Sequence, residues 1–357
     1  MEGTLIPVKS LHGHTKLVEE LNFSRNVDEL KIISTSWDET VRIWNAGTGK
    51  QVGEPLLGHA AKSSGIAIST DGTKFLSGGH DGKIIMWSAE TRAIIRTIKP
   101  RVASLSFSPD DKTFASASSD GTCRVWNSET GELLFDFDDH QNAVWIVAYS
   151  PSGVKIASGS DDHTIHIRNT RTGERLTQPL LHADCVRSIV WSPDSRQLIS
   201  ACDDGQICFW SAPTGTQLGS PLQAHLGEIT SNCMAISPSG SLLASASSDH
   251  TARLWNTVTR QPFGRVLQHN DRVYTVAFSP SGQFVATGGR EGIIFLWDIS
   301  QEGVIATAAV SVSLLHAAPI SHFAGDADQV RSHWVSSEYM SDMNVSHGRT
   351  RIPSQGA

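Results

Sequence analysis

Short runs of alternating apolar and polar residues fill most of the chain, and each closes on a turn signal. VYTVAFSPSG (273–282) alternates and stops at a Ser-Pro-x-Gly turn, and FVATGG (284–289) follows as a second run. A tight Asp-Gly, Asp-His or Glu-Gly turn leads to a third run such as TARLW (251–255). An x-Thr-Gly turn, at 47–49, 129–131, 171–173 and 213–215, leads to a fourth. No stretch keeps a helical period, so the pattern predicts an all-β chain of four-stranded units.

These units repeat. A histidine recurs at His14, His59, His140, His182, His225 and His269, and a tryptophan closes the third run at Trp44, Trp87, Trp126, Trp210, Trp255 and Trp297. Arg168 takes the tryptophan place once, and successive positions of that series lie 43, 39, 42, 42, 45 and 42 residues apart. A period near 42 residues is the length of one four-stranded propeller blade. Seven units predict a seven-bladed β-propeller over residues 1–300. The remainder, 301–357, loses the repeat, is rich in Ser and His, and is expected to be a largely disordered tail.

LHGH…TVRIWN and SPSGQFVATGGREGIIFLWD resemble WD40 repeats, and GTGKQVGEPLLGH resembles the connectors of fungal WD40 arrays. The resemblance implies that each antiparallel blade is stapled by a buried chain of loop histidine, second-strand Ser or Thr, turn aspartate and third-strand tryptophan. Those residues are His14, Ser34, Asp38 and Trp44 in the first repeat, and His59, Ser77, Asp81 and Trp87 in the second. They are His182, Ser200, Asp204 and Trp210 in the fifth, and His225, Ser245, Asp249 and Trp255 in the sixth. The third repeat lacks the histidine, the fourth has Arg168 for tryptophan, and the seventh has Glu291 for aspartate. The resemblance further implies that an N-terminal strand, at about residues 4–11, closes the ring by joining the last blade. VIATAAVSVSLL (304–315) is the rival for that edge.

Composition narrows the function. The formal charge is −7 with 36 acidic and 29 basic side chains, which argues against broad nucleic-acid binding. Five cysteines, odd in number and without a CxxC pair, point to a reducing compartment, hence an intracellular protein of cytoplasm or nucleus. No signal peptide or membrane span is visible, and no cofactor or metal site is expected. Cys202 and Cys208 flank one hairpin, but two ligands do not make a zinc site.

The recurring His, Ser and Asp read as blade staples rather than catalytic groups, so the chain is expected not to be an enzyme. The functional expectation is a protein-interaction scaffold or adaptor in a multiprotein complex. A fungal-type sensor module, or an enzyme or small-molecule-binding propeller, are the alternatives. In WD40 propellers partners dock at the channel mouth, and by register that mouth holds Glu19, Trp37, His80, Arg101, Trp145 and Asp161. It continues with Arg187, Asp203, Arg272, Tyr274 and Arg290. Trp, Tyr and Arg are the usual interface anchors. The mixture of signs suits a mixed-charge peptide. The register of Glu228 and Thr230 is left open by extra residues in EITSNCMAISP.

Overall fold

A computed structural model describes residues 4–24 and 29–302. The described residues hold seven antiparallel sheets and no named helix. Blade one starts at Val18–Phe23, blade two at Ser63–Ile68, blade three at Ser104–Phe107 and blade four at Val144–Tyr149. Blade five starts at Val186–Trp191, blade six at Met234–Ile236 and blade seven at Val273–Phe278. Each starting strand packs against its counterparts in the blades on either side, and Val18–Phe23 meets Val273–Phe278, so the seven blades close a ring.

The ring is closed by strand pairing out of sequence. Lys9–His12 pairs antiparallel with Ile293–Leu296 as the fourth strand of blade seven, and the Val8 N–H donates to the Leu296 carbonyl at 2.7 Å. Leu11 is fully buried in the apolar cluster of Val18, Trp44, Ile294 and Leu296. Pairing this strand covers an edge that would otherwise present a row of unpaired backbone groups. The expected tail beyond Glu302, with the rival segment 304–315, lies outside the described residues.

Turn chemistry sets the strand registers. The Ser-Pro-x-Gly turns put Gly153, Gly240 and Gly282 at φ of 71°, 74° and 73°, a conformation glycine adopts without a Cβ penalty. In blade seven Ser279 Oγ accepts the Phe284 N–H at 3.0 Å and so fixes the turn against the following strand. The outer edge is split in blade one into Lys50–Gln51 and Leu56–Leu57, and in blades four to six into a single bridge and a two-residue strand; the inner strand of blade six is cut to three residues behind the Ser231–Asn232 turn.

Candidate binding site at the channel mouth

The recurring polar residues are consumed within the blades. In blade one His14 Nδ1 meets Asp38 at 2.9 Å, its Nε2 meets Ser34 Oγ at 2.8 Å, and the Trp44 indole N–H donates to Ser34 Oγ at 2.8 Å. His59, Asp81, Ser77 and Trp87 repeat this at 3.1, 2.8 and 2.8 Å, and His225, Asp249, Ser245 and Trp255 at 2.9, 2.8 and 2.9 Å. Burial alone would raise the Asp249 carboxyl, but the His225 and Thr251 hydrogen bonds outweigh it and hold it down to about 2. Ser34, Ser77, Ser200 and Ser245 are fully buried, so no substrate can reach these hydroxyls.

Blade five differs from the complete chain its residues imply. His182 Nε2 meets Ser200 Oγ at 2.8 Å and Trp210 donates to the same oxygen at 2.8 Å, but His182 Nδ1 turns to the Leu180 carbonyl at 3.1 Å. Asp204 instead accepts the Gln206 N–H at 3.0 Å. Burial, with Asp184 and Asp203 close by, pushes the Asp204 carboxyl up. Without the His182 contact, nothing in the staple chain offsets that burial. In blade four the Arg168 guanidinium replaces the indole by bonding Asp139 and the Gly173 carbonyl and lying 4.3 Å over Phe137. His166 stacks on His140 there at 3.9 Å between centroids. In blade three the Trp126 indole still donates to Ser116 at 2.9 Å, and in blade seven Thr287 carries both His269 and Trp297 at 3.1 and 2.7 Å.

The mouth residues are brought together by two backbone devices. In five blades the residue before the turn aspartate, or before Glu291, donates its N–H to the start of the inner strand: Trp37 to Leu17, His80 to Lys62, Asp161 to Ala143, Asp203 to Cys185 and Arg290 to Arg272, at 2.9–3.1 Å. Ser248 donates to Glu228 at 3.0 Å in the same way, which fixes the register of Glu228 despite the extra residues of blade six. The second device is a β-bulge. Pairing between the first two strands skips Glu19 in blade one, Ser64 and Gly65 in blade two, Trp145 in blade four, Arg187 in blade five and Tyr274 in blade seven. Bulges re-aim side chains and are common at binding sites.

These side chains then engage one another. The Trp37 indole donates to Glu19 at 2.7 Å, and Lys62 of blade two lies 3.6 Å over the Trp37 ring. Arg187 grips Asp203 at 2.7 and 2.6 Å, reaches Asp161 of blade four at 2.8 Å, and lies 5.2 Å over the Trp145 ring. Burial works against the Arg187 cation, and the carboxylates more than offset it, so its pKa rises. Trp145 and Tyr274 are buried in the wall of the mouth, whereas Trp37 and His80 are half-buried and Arg101 and Arg290 exposed. Apart from Arg187 in blade five, Glu19 in blade one and Asp271 in blade seven, the charges segregate by blade. Asp161, Asp184, Asp203 and Glu228 belong to blades four to six, while Arg272, Arg290, Lys62 and Arg101 belong to blades seven, two and three.

Below the mouth, sequence reasoning missed a polar belt that ties blade to blade. The Ile66 N–H donates to Glu20 at 2.8 Å, the Tyr149 N–H to Ser106 at 3.1 Å, the Met234 N–H to Ser188 at 3.2 Å and the Leu21 N–H to Thr275 at 3.1 Å. Each acceptor is one blade away, because the inner strand has no further partner on its channel side. Glu20 also takes the Asn232 side-chain amide at 3.2 Å, a bond between blades one and six, which are not neighbours in the ring. Asn232 sits at φ 58° in the blade-six insertion, and an asparagine in an insertion was the one available signal. Burial pushes the Glu20 carboxyl well above its ordinary range. Past this belt the channel widens into a cavity of about 790 Å³ that reaches the turn prolines, among them Pro109, Pro193 and Pro280.

Comparison with known proteins agrees with the blade pattern. The family model described as "WD domain, G-beta repeat" matches residues 5–45, 215–256 and 261–298. The model of the echinoderm microtubule-associated protein second beta-propeller matches residues 63–226. Small ribosomal subunit protein RACK1y of Oryza sativa subsp. japonica is 39% identical over 75 residues, 21% of this chain and 22% of that protein. MST50-interacting protein 11 of Pyricularia oryzae is 33% identical over 75 residues, 21% of this chain and 23% of that protein. The Periodic tryptophan protein 2 homolog of Neurospora crassa is 35% identical over 80 residues, 22% of this chain and 9% of that protein. The matched stretches thus span less than a quarter of the length of these relatives. Seven antiparallel blades in a ring make this chain a seven-bladed β-propeller, and it carries WD40 repeats over residues 5–45, 215–256 and 261–298.

Proposed function

We propose that the propeller is a non-catalytic interaction scaffold that takes a protein segment of mixed charge across its channel mouth. The observation that carries this reading is the set of bulges. Four of them put Glu19, Trp145, Arg187 and Tyr274, which are not repeat residues, at the same place in four different blades. The bulge itself recurs in blade two at Ser64 and Gly65, so what distinguishes the mouth is the chemistry the bulges carry: bulges re-aim side chains, and here they set an acid, two aromatics and a cation at one height. The segregation of charge then gives the segment a direction. Its basic side chains fit over blades four to six, and its acidic ones over blades seven, two and three.

Catalysis is disfavoured because the His–Ser–Asp groups sit in buried chains whose serine oxygen already accepts an indole N–H. Free thiols, four of them buried, support an intracellular, reducing setting. Direct nucleic-acid binding is disfavoured by the net acidity. The test has two stages. Partners are identified by affinity capture and mass spectrometry, then titrated against the native chain, Trp37→Ala, and an Arg272→Ala/Arg290→Ala pair. Weakening by about tenfold or more is expected from the mouth variants, and none from Val258→Ala, which is 86% exposed on an x-Thr turn away from the mouth. Equal affinities across all of them would remove the mouth as the docking face.

A further inference from the structure

Between blades four and five the mouth carries more acid than its cations balance, and the excess lies beside three side chains of metal-ligand type. His163, Asp184 and Cys185 each offer a ligand atom within 4.8 Å of the other two. They come from two blades. His163 is in the tight turn of blade four, and Asp184 and Cys185 lead into the inner strand of blade five.

The backbone holds them in place. His163 sits at φ 64°, in the left-handed region that few non-glycine residues occupy. Its carbonyl accepts the His182 N–H at 2.9 Å, which fastens this turn to the loop carrying Asp184. Asp184 Oδ1 accepts the Cys185 N–H at 2.7 Å, and Cys185 Sγ lies 3.7 Å from the Asp161 carbonyl. Cys185 is half-buried while the other four thiols are buried, so it is the thiol a solvent ion can reach.

Charge supplies the second, independent observation. Arg187 is spent on Asp161 and Asp203, and Asp184 lies close enough to Asp203 and Asp204 to repel both. Asp184 and Asp204 make no salt bridge among the described residues, and Asp204 lacks the histidine contact its counterparts have. Neighbouring carboxylates without a counter-ion are the electrostatic situation that a bound dication relieves.

We propose that His163, Asp184 and Cys185 form a divalent-metal site of zinc type that joins blade four to blade five at the channel mouth. Nitrogen, sulfur and carboxylate oxygen suit a borderline-soft ion, and three protein ligands leave a fourth position for water or for a donor atom of a partner. On binding, the Cys185 S–H bond breaks, the proton passes to solvent, and the sulfur electron pair goes to the metal. Asp184 binds as the carboxylate and His163 as the neutral imidazole. The site takes neither Asp161 nor Asp203 from Arg187, so it stands apart from the peptide-docking reading above.

The test uses the full chain, kept reduced, and Co²⁺ alone as probe. An equimolar complex with a thiolate-to-cobalt charge-transfer band is expected, and Zn²⁺ should bleach the band. Cys185→Ser should abolish it. His163→Asn, which keeps a residue tolerant of left-handed backbone, and Asp184→Asn should each weaken Co²⁺ binding by about tenfold or more. Near-UV circular dichroism checks that each variant is folded. The site is overturned if the native chain gives no band, if the band survives Cys185→Ser, or if neither His163→Asn nor Asp184→Asn changes the affinity. Should Cys185→Ser fail to fold, the other two titrations decide alone.

Discussion

The Arg187 guanidinium holds both carboxylate oxygens of Asp203, at 2.7 and 2.6 Å, from the bulge that opens blade five. The pair is mostly shielded from water, with side chains 17% and 26% exposed. Removing one partner of such a pair leaves the other as an uncompensated charge. Arg187→Ala should therefore cost about 3 kcal/mol in urea unfolding. A double-mutant cycle with Asp203→Asn should return a coupling above about 1 kcal/mol. Additive losses would mean that the two side chains do not cooperate.

Two aspartates at equivalent turns should behave unequally. Asp249 accepts from His225 and Thr251, whereas Asp204 holds only the Gln206 N–H by its side chain. Asp249→Ala should cost about 1–3 kcal/mol by leaving buried donors without an acceptor. Asp204→Ala should cost less than about 1 kcal/mol. The comparison is made from denaturation midpoints at a common m-value. Equal losses would contradict the turned His182 ring.

Glu20 is expected to work against stability as pH rises. Its carboxyl is raised in the folded chain above an ordinary value of 4.5, so the folded state binds the extra proton. That contribution is fully present below the unfolded pKa and is lost as pH climbs through the folded one. Glu20→Gln retains an acceptor for the Ile66 N–H and removes the titration. Its stability relative to the native chain should grow with pH between about 5 and 9. A difference that stays constant over that range would rule out a protonated Glu20.

The buried histidines have the opposite sign. Burial lowers His182 and His269 to about 4 from an ordinary 6.5. The unfolded chain binds the protons that the folded chain refuses, so this stability falls as pH drops from 6.5 toward 4. In the Glu20→Gln background, which removes the opposing acid, Tm should be lower at pH about 5 than at about 7.5. An unchanged Tm would count against neutral burial of these rings.

Trp37 and Trp145 separate surface from wall. Trp145 is buried, and Trp145→Ala should cost about 3 kcal/mol or more through lost packing alone. Trp37 is half-buried over Lys62 and Glu19, so Trp37→Ala should cost less and is the cleaner probe of docking. The two denaturation curves, run side by side, check the order.

The sequence by itself determined the seven blades, and its resemblance to WD40 repeats pointed to the N-terminal strand that seals the ring. A period near 42 residues and turn signals at fixed offsets are local properties, repeated often enough that no long-range information is needed. It also determined which His, Ser, Asp and Trp are repeat residues. Only the tertiary structure decided how those residues are used. The His182 ring turns to the Leu180 carbonyl, and Asp184 and Asp203 come near Asp204 only when the loop and the turn fold together. The bulges at Glu19, Trp145, Arg187 and Tyr274 are one-residue offsets between paired strands, and alternation along a single strand does not encode them. The Glu20–Asn232 bond spans 212 residues between blades that are not neighbours, so it exists only because the ring brings its inner edges to one axis.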